Sequence, residues 1–301
     1  MREACEEHHE DAGEGVVDRR TYLAVCSSED YLDGLLVLDA SLRRVGGMYP
    51  LTVLVTPAVS EQLEHTLNRL GMRTVRSGGS VSVPREVIER NAALGQAHWS
   101  KTFAKLQAFE LLEFSKVVYL DSDMMVMRNV DELFDWPHMS AVAAGRGQPG
   151  NEAWDRLNSG CLVIIPHQGA VERLWDAVPM ALREREAVGD QDLLQISHPD
   201  WPDHPELHLG EEYNLFFMYL EHYTRDLGYS LRGDKPIKIV HFVGATKPWS
   251  LTSRQTVRTF AMHVRGRQWN SLAVFAQYQL ILRRARLRMA LGTVLDLWRV
   301  G

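Results

Sequence analysis

Short apolar segments alternate with helical segments along the chain, and this alternation constrains the fold more than any other feature. Four segments have the composition of buried strands: 22–26, 51–55, 72–76 and 117–120. Between them, three segments space their apolar residues as amphipathic helices do: 31–45, 60–70 and 100–114. Nearly all-apolar strands connected through helices predict a mostly parallel α/β sheet that is covered on both faces.

The second half continues the pattern and ends in a basic segment. It contains predicted strands at 160–165 and 237–242, predicted helices at 171–182 and 190–196, and a Pro- and His-rich loop at 198–208. A further helix is expected over 272–298. The length of 301 residues allows two domains or one large α/β domain. We predict one main domain over 19–250, preceded by a tail (1–18) and followed by a helical basic extension (251–301).

Charge is distributed unevenly. Residues 1–18 contain one arginine and seven acidic residues, whereas 251–301 contain nine arginines and one aspartate. The acidic tail is expected to be disordered, and its His8–His9 pair to be solvated. The basic helix, with residues 272–299, is a candidate for peripheral contact with an anionic membrane, and the alternative is a helix packed on the domain with solvated arginines. The net charge of −6 and the lack of a nucleic-acid module exclude nucleic acid as a partner.

Cysteine usage and hydropathy bear on the compartment. The three cysteines, Cys5, Cys26 and Cys161, are scattered and form no CxxC, which argues against a disulfide scaffold or a structural zinc cluster. No run of about 18 apolar residues is present, and the N-terminus lacks the order of a signal peptide. We therefore expect a cytoplasmic protein, with peripheral membrane attachment as the alternative.

Two carboxylates follow the predicted strand 117–120. Asp121 and Asp123 stand at i and i+2, so both side chains point the same way if extended geometry continues. Carboxylates that share one location repel each other unless a cation lies between them, and a hard divalent cation fits oxygen ligands. The alternative is a surface turn with two solvated acids, because the DxD string is short and common.

Three other segments favour the metal interpretation. Asn158, Ser159 and Gly160 precede a strand and offer groups that hydrogen-bond a sugar, and the segment 189–191 precedes a helix. The segment 241–249 follows a strand with a histidine, a glycine and a lysine. An imidazole beside two carboxylates suits Mn²⁺ better than Mg²⁺. Taken singly, His241 is more often a core histidine and Lys247 a surface lysine.

The ordered set of segments LAVCSSEDY, AKLQAFELLEFSKVVYLDSD, NSG, GDQ and HFVGATKPW resembles glycosyltransferase family 8, over about residues 22–249. The glycogenin and galactinol-synthase branch is the most similar. The resemblance implies a GT-A type, Rossmann-like fold. It also implies a retaining transferase that moves a hexose from a UDP-sugar to an acceptor hydroxyl, with Mn²⁺ as cofactor and Mg²⁺ as its substitute.

The resemblance also implies roles by position. Metal binding falls on Asp121, Asp123 and His241, and catalytic roles fall on Asp190, Gln191 and Lys247. The implied contacts to the donor comprise a base and ribose group (Val25, Ser27, Ser28, Tyr31, Ser122), a sugar group (Asn158, Ser159, Asp190, Gln191, Asn214) and a diphosphate group (Gly244, Lys247). Lys105 is a further implied contact to the donor.

The chain departs from the family pattern in places. Ala187 stands where that branch often has an acidic residue, and Cys26 and Ser28 stand where Thr and Asn are common. No clear counterpart of the self-glycosylated tyrosine of glycogenin is present. Four tyrosines lie in the corresponding region: Tyr213, Tyr219, Tyr223 and Tyr229. Self-glycosylation is therefore not expected, and the acceptor stays open among a carbohydrate, a polyol and a protein.

Several alternatives stay open on function. Glucose is the expected donor sugar, and galactose the alternative. Front-face attack by the acceptor is favoured, with Asp190 anchoring sugar hydroxyls, whereas a covalent intermediate would use Asp190 as nucleophile. A nucleotidyltransferase would carry a Gly-rich loop where this chain has CSSEDY. A non-catalytic scaffold that binds a sugar nucleotide is a rival from another class, and a homodimer is a further candidate assembly.

Overall fold

The computed structural model describes residues 19–78, 83–145, 147–148 and 150–300, without the side chains of residue 100 and of 292–300. The segment 1–18, predicted to be a disordered tail and containing Cys5 and the His8–His9 pair, lies outside the described residues. The strands within the described part are β1 (Arg20–Cys26), β2 (Leu51–Val55), β3 (Arg73–Arg76), β4 (Lys116–Leu120), β5 (Met124–Val126), β6 (Ala141–Val142), β7 (Asn158–Ile164), β8 (His208–Leu209), β9 (Leu215–Phe216) and β10 (Ile239–His241). The α-helices are α1 (Leu32–Arg44), α2 (Glu61–Arg69), α3 (Arg85–Ala93), α4 (Ala170–Trp175), α5 (Val178–Glu184), α6 (Asp190–Ser197), α7 (Leu220–Arg225), α8 (Ser253–Arg265) and α9 (Trp269–Val300).

The main sheet has the order β3-β2-β1-β4-β7-β6-β8. Its first four strands are parallel neighbours, and β6 pairs with β8 in parallel, so the prediction of a mostly parallel sheet is confirmed. Strand β7 is antiparallel to both of its neighbours. The first residues of β7 therefore lie at the edge where β1 and β4 end. A second sheet has the order β5-β10-β9.

Hydrophobic side chains fill both faces of the main sheet, because neighbouring residues of a strand point to opposite sides. Tyr22 and Ala24 of β1 pack in the cluster that contains residues of α1 and α2. Leu23 packs on the other face, in the cluster that contains Phe103 and Phe109. Burial on both faces explains why the strands are almost entirely apolar, a pattern that sequence analysis detects.

The predicted α-helix at 100–114 is wrong. Ala97–Glu110 instead forms a run of 3₁₀ helix. Phe103, Leu106 and Phe109 are buried at a spacing of three residues, which is the period of a 3₁₀ helix and places them on one side. Lys105, between the first two, is also buried and points toward the carboxyl edge of the sheet.

The predicted helix at 171–182 is two helices, α4 and α5. Pro179 occupies the first turn of α5. A proline lacks the backbone N–H that a continuous helix would bond to the carbonyl of Trp175, and its ring clashes with that carbonyl. The chain therefore interrupts the helix at 176–177 and starts again.

The C-terminal helix α9 packs on the rest of the chain through its apolar stripe. Val274, Phe275 and Tyr278 are buried in a cluster with residues of the small sheet. Arg286 forms two hydrogen bonds to Asp33 of α1, at 2.9 and 2.6 Å. The neighbouring arginines Arg283, Arg284 and Arg288 are exposed, as the packed-helix alternative predicts. Among the described helices, none carries an apolar stretch sufficient to cross a membrane.

Candidate active site

Asp121 and Asp123 lie in a tight turn directly after β4. The backbone N–H of Met124 donates to the carbonyl of Asp121 at 3.1 Å, so the expectation of continued extended geometry is wrong. Strand β5 follows the turn and pairs antiparallel with β10, so that Met124 lies opposite His241. This pairing brings both carboxylates next to the His241 side chain. One ligand atom from each of the three residues lies within 4.8 Å of the others.

The imidazole of His241 is held in a defined orientation. Asn214 accepts from Nδ1 through its side-chain oxygen at 2.8 Å, and its amide nitrogen donates to Asn158 Oδ1 at 2.6 Å. Nδ1 therefore carries a proton, and Nε2 faces the carboxylates, 3.0 Å from Asp123 Oδ1 and 3.7 Å from Asp121 Oδ2. A hydrogen bond at the other ring nitrogen is the usual support of a metal-binding histidine.

Gly160 lets strand β7 approach these side chains. A Cβ atom built on Gly160 would lie 2.9 Å from the His241 ring and 3.0 Å from Asp121 Oδ2. Any larger residue would therefore displace the imidazole or the carboxylate. The backbone N–H of Asp121 also donates to the Gly160 carbonyl at 2.9 Å, which fixes the turn against β7.

The donor set of Asp121, Asp123 and His241 fits a divalent cation. Two carboxylates and one imidazole form a mixed O/N set of the kind that Mn²⁺ accepts. Burial alone would raise the pKa of Asp123, but His241 and then Lys247 lower it well below its usual range. The carboxylate is therefore ionised at neutral pH, as a metal ligand must be.

Lys105 connects Asp121 to Asp190 in the interior. Its Nζ lies 2.9 Å from Asp190 Oδ2 and 3.2 Å from Asp121 Oδ1, and it donates to Ser159 Oγ at 2.9 Å. Ser159 Oγ in turn donates to Asp190 Oδ2 at 2.8 Å. Burial opposes the charged form of both groups, yet Lys105 lowers the pKa of Asp190, and Asp121 followed by Asp190 raises the pKa of Lys105. Both groups are charged and hold each other in place.

Gln191 and Lys247 also lie at the carboxyl edge of the sheet. Gln191 Oε1 accepts from the Ser159 backbone N–H at 3.1 Å. Lys247 forms an ion pair with Asp123 and also donates to the Phe242 carbonyl at 3.2 Å. Gly244, between β10 and this lysine, has a φ of 103°, which favours glycine and turns the loop back toward Asp123.

The segment after β1 lies at the same edge. Tyr31 is half-buried, and burial, followed by the charges of Asp123 and Asp121, raises the pKa of its hydroxyl. Its ring meets Trp249 edge-on at 6.0 Å, and the Trp249 indole donates to the Asp30 carbonyl at 2.9 Å. The loop after β10 is thus attached to the segment before α1.

The other residues predicted to bind the nucleotide lie in the turn after β4 or at the end of β1. Ser122 is buried between the two aspartates. Val25, Ser27 and Ser28 stand at the end of β1 and just beyond it, next to β4. Their contacts to a nucleotide stay a prediction.

Sequence analysis missed two residues that hold the acids. The Tyr119 hydroxyl donates to Asp121 Oδ1 at 2.8 Å, and the Asp190 backbone N–H donates to Thr102 Oγ1 at 3.4 Å. The sequence does indicate Tyr119, because Tyr119 and Asp121 are two residues apart and residues at this spacing share a face of an extended strand. No comparable signal existed for Thr102, which lies in the segment predicted as an α-helix.

The two described cysteines are free and buried. Burial raises the pKa of the Cys26 thiol to about 11 and that of the Cys161 thiol to about 12. Both thiols are therefore protonated at neutral pH and are poor nucleophiles, in keeping with their positions inside the sheet.

Comparison with known proteins identifies relatives of known class. The family model described as glycosyl transferase family 8 matches residues 22–253. Glycogenin-1 of Caenorhabditis elegans is 34% identical over 238 residues, which are 76% of this chain and 50% of that protein. Galactinol synthase 1 of Solanum lycopersicum is 26% identical over 253 residues, 78% of this chain and 74% of that protein. The chain thus spans about half the length of the glycogenin relatives that it matches.

Solved structures share the fold. The apo-form glycosyltransferase GlyE of Streptococcus pneumoniae aligns with a TM-score of 0.56 at 18% identity, over 90% of this chain and 64% of that chain. The galactosyltransferase LgtC, solved with donor and acceptor sugar analogues, aligns with a TM-score of 0.56 at 15% identity, over 88% of this chain and 95% of that chain. The match of most of the chain to one family model, together with this GT-A fold, shows that the protein belongs to glycosyltransferase family 8.

Proposed function

We propose that this chain transfers a hexose from a UDP-sugar to an acceptor hydroxyl, with retention at the anomeric carbon and with Mn²⁺ as the preferred cation. The observation that carries the proposal is the convergence of Asp121, Asp123 and His241 at the carboxyl edge of the sheet. Family membership supplies the reaction class, and the donor set supplies the preference for a cation with mixed O and N ligands.

The chain's own groups would bind and orient the donor. Tyr31 and the residues at the end of β1 are placed to receive the base and ribose, and Ser122 lies beside them. A bound cation supplies positive charge where negative charge builds on the departing UDP. On donor binding, the Lys247 ammonium would leave Asp123 and pair with the diphosphate, because the diphosphate carries more negative charge than one carboxylate.

Asp190 is better suited to anchor the sugar than to attack it. Its carboxylate is buried and already accepts from Lys105 and Ser159. An amide such as that of Gln191 is a poor nucleophile, so we propose front-face attack by the acceptor, with Gln191 near the sugar. A glycosyl adduct on Asp190, trapped with a slow donor and found by mass spectrometry, would instead establish a double displacement.

The proposed donor is UDP-glucose, because relatives named glycogenin reach 34% identity. UDP-galactose is the second candidate, because galactinol synthase 1 is also similar to this chain. Self-glycosylation gains no support, since Tyr213, Tyr223 and Tyr229 are buried and only Tyr219 of the four candidates is partly exposed. We propose an acceptor on another molecule, as a carbohydrate, polyol or protein hydroxyl. A cytoplasmic location, membrane contact and dimerisation stay predictions from the sequence.

The test is a panel of UDP-glucose, UDP-galactose and UDP-glucuronate, each with Mn²⁺, with Mg²⁺ and with chelator, read by release of UDP. We expect Mn²⁺-dependent release from one UDP-hexose well above the other two donors. Mass spectrometry of the protein after the reaction should show no added hexose. Saturable binding of UDP without turnover of any donor would favour the non-catalytic scaffold and overturn the proposal.

A further inference from the structure

A cavity of about 350 Å³ lies away from the carboxyl edge of the sheet. Strand β7 begins beside the acids with Asn158 and ends with Ile164, and His167 of the cavity follows it. Helix α6 likewise begins with Asp190 at the acids and ends with Ser197 in the cavity wall. A strand of seven residues extends over roughly 20 Å, so the cavity is separate from the candidate active site.

Imidazoles from three different segments line this cavity: His138, His167 and His198. His138 and His167 meet edge to face, with ring centroids 5.8 Å apart. His138 Nδ1 accepts from the Ile165 backbone N–H at 3.0 Å, so its proton in the neutral form is on Nε2. His198 Nδ1 lies 3.0 Å from the Leu194 carbonyl and therefore carries a proton. The backbone fixes one ring nitrogen of each of these two residues, and the other stays available to a ligand.

Ser197 lines the cavity, but its Oγ is covered by neighbouring atoms and makes no hydrogen bond among the described residues. Apolar side chains form the rest of the wall, among them Phe109, Leu174 and Ile196. A pocket of this size with apolar walls and a few convergent polar groups is typical of small-molecule sites.

The electrostatics favour a negative group. Arg173 is the cation of the lining and Asp176 its acid, and both are exposed at the rim. Burial, followed by the charges of His198, His167 and Lys116, lowers the pKa of His138 to about 4. Burial also lowers the pKa of His198, against the opposing effects of the Leu194 carbonyl and Asp200. Both imidazoles are therefore neutral at neutral pH, where His138 offers its Nε2–H as a hydrogen-bond donor and Arg173 supplies the positive charge that an anion would meet.

We propose that this cavity binds a small organic anion, in which a phosphate or carboxylate accepts from His138 Nε2–H and Arg173 and an apolar body lies against Phe109 and Leu174. The cavity lining contains none of Asp121, Asp123 and His241, and the UDP-sugar is not its ligand. The proposal is therefore independent of the proposed reaction.

The test uses the full chain with ¹³C-labelled histidine and follows the imidazole resonances by NMR. The probes are phenyl phosphate and benzoate, which carry the two candidate head groups on one apolar ring, and neutral benzyl alcohol as the matched control. We expect saturable shifts of His138, His167 and His198 with at least one anion, and the tighter of the two identifies the head group. No saturable shift with either anion, or equal affinity for benzyl alcohol, would overturn the proposal.

Substitutions separate the cavity from other anion sites. Arg173→Gln removes an exposed guanidinium and should weaken binding about tenfold, whereas Arg183→Gln, on the exposed face of α5, should leave it unchanged. Ala177→Phe should fill the cavity and abolish binding. If the anions shift only His241, they bind at the acids, and the proposal fails. It also fails if Arg173→Gln binds phenyl phosphate and benzoate as the unmodified chain does.

Discussion

The two ends of strand β7 treat charge in opposite ways. At the carboxyl edge, each acid of the group Asp121, Asp123 and Asp190 is paired with a lysine or histidine. In the histidine cavity at the other end, imidazoles face one another and none of the three forms an ion pair among the described residues. Paired acids suit a site that accepts a cation by exchange, whereas the neutral His138 N–H beside the Arg173 guanidinium suits an anion. The two ends of β7 are thus suited to ligands of opposite charge.

The largest expected effect tests the paired end. Asp123→Asn removes a carboxylate that is buried beside His241 and Lys247. Without this ligand the cation is held weakly, and charge on the leaving UDP is poorly stabilised. We expect UDP release to fall by about 10³-fold or more, since one electrostatic group of this kind contributes about 10²–10³ in rate and a metal ligand contributes further.

The matched control for that change is Asp234→Asn, in an exposed loop before β10. It should leave the rate of UDP release within about twofold of the unmodified chain, because exposed charges contribute little. Mn²⁺ affinity, measured by calorimetry, provides a second measurement besides the rate. Unchanged Mn²⁺ binding in Asp123→Asn would contradict the assignment of this residue as a ligand.

Lys105→Met should have the next largest effect, and on stability. The lysine is buried between Asp121 and Asp190, so its removal leaves Asp190 as a buried charge without its cation. Breaking such a buried pair costs about 3–5 kcal/mol of the free energy of unfolding. Urea denaturation measures the loss. Lys238→Met is the control, because Lys238 pairs with a partly exposed Glu132 and should lose about 1 kcal/mol or less. Equal losses would show that Lys105 is not the central counter-ion.

Lys247→Met tests the proposal that Lys247 leaves Asp123 and pairs with the diphosphate of the donor. The Lys247 ammonium competes with a cation for Asp123 when no nucleotide is bound. Its removal should therefore tighten Mn²⁺ binding to the free chain by up to about tenfold, while UDP release falls by about 10²-fold. Opposite changes in these two quantities are the signature of a residue that leaves the acid for the diphosphate. Weaker Mn²⁺ binding in this variant would argue that Lys247 supports the acid rather than competing for it.

Sequence analysis predicted the sheet because the physical signal is local. All-apolar strands such as β2 report burial on both faces, and that pattern is visible without coordinates. The meeting of Asp121, Asp123 and His241 was predictable only through resemblance and the rule on strand ends. Their actual contact depends on β5 pairing with β10, a short antiparallel pair that the sequence does not indicate.

Other features of the molecule are not predictable from local pattern. The 3₁₀ segment that carries Lys105 has apolar spacing close to that of an α-helix, and burial around the segment decides between them. The histidine cavity combines residues from four distant segments, and each histidine alone resembles an ordinary loop residue. Clusters of this kind arise from packing of α4, α5 and α6, which no short window of sequence encodes.

The smallest expected effect tests the unpaired end through stability. The pKa of His138 in the folded chain is about 4, against 6.5 for the unfolded residue, so the unfolded chain binds more protons below pH 6.5. The contribution of His138 to the free energy of unfolding is thus complete above pH 6.5 and is lost as the pH falls through about 4. Partial exposure limits this contribution to about 1–2 kcal/mol.

Urea denaturation at pH 7, 6 and 5 should show that the free energy of unfolding falls less steeply with decreasing pH in His138→Gln than in the unmodified chain. His65→Gln, at an exposed position on α2, should retain the full slope. Identical slopes for all three proteins would mean that His138 accepts a proton in the folded chain as readily as in water, and the contrast between the two ends of β7 would lose its electrostatic basis.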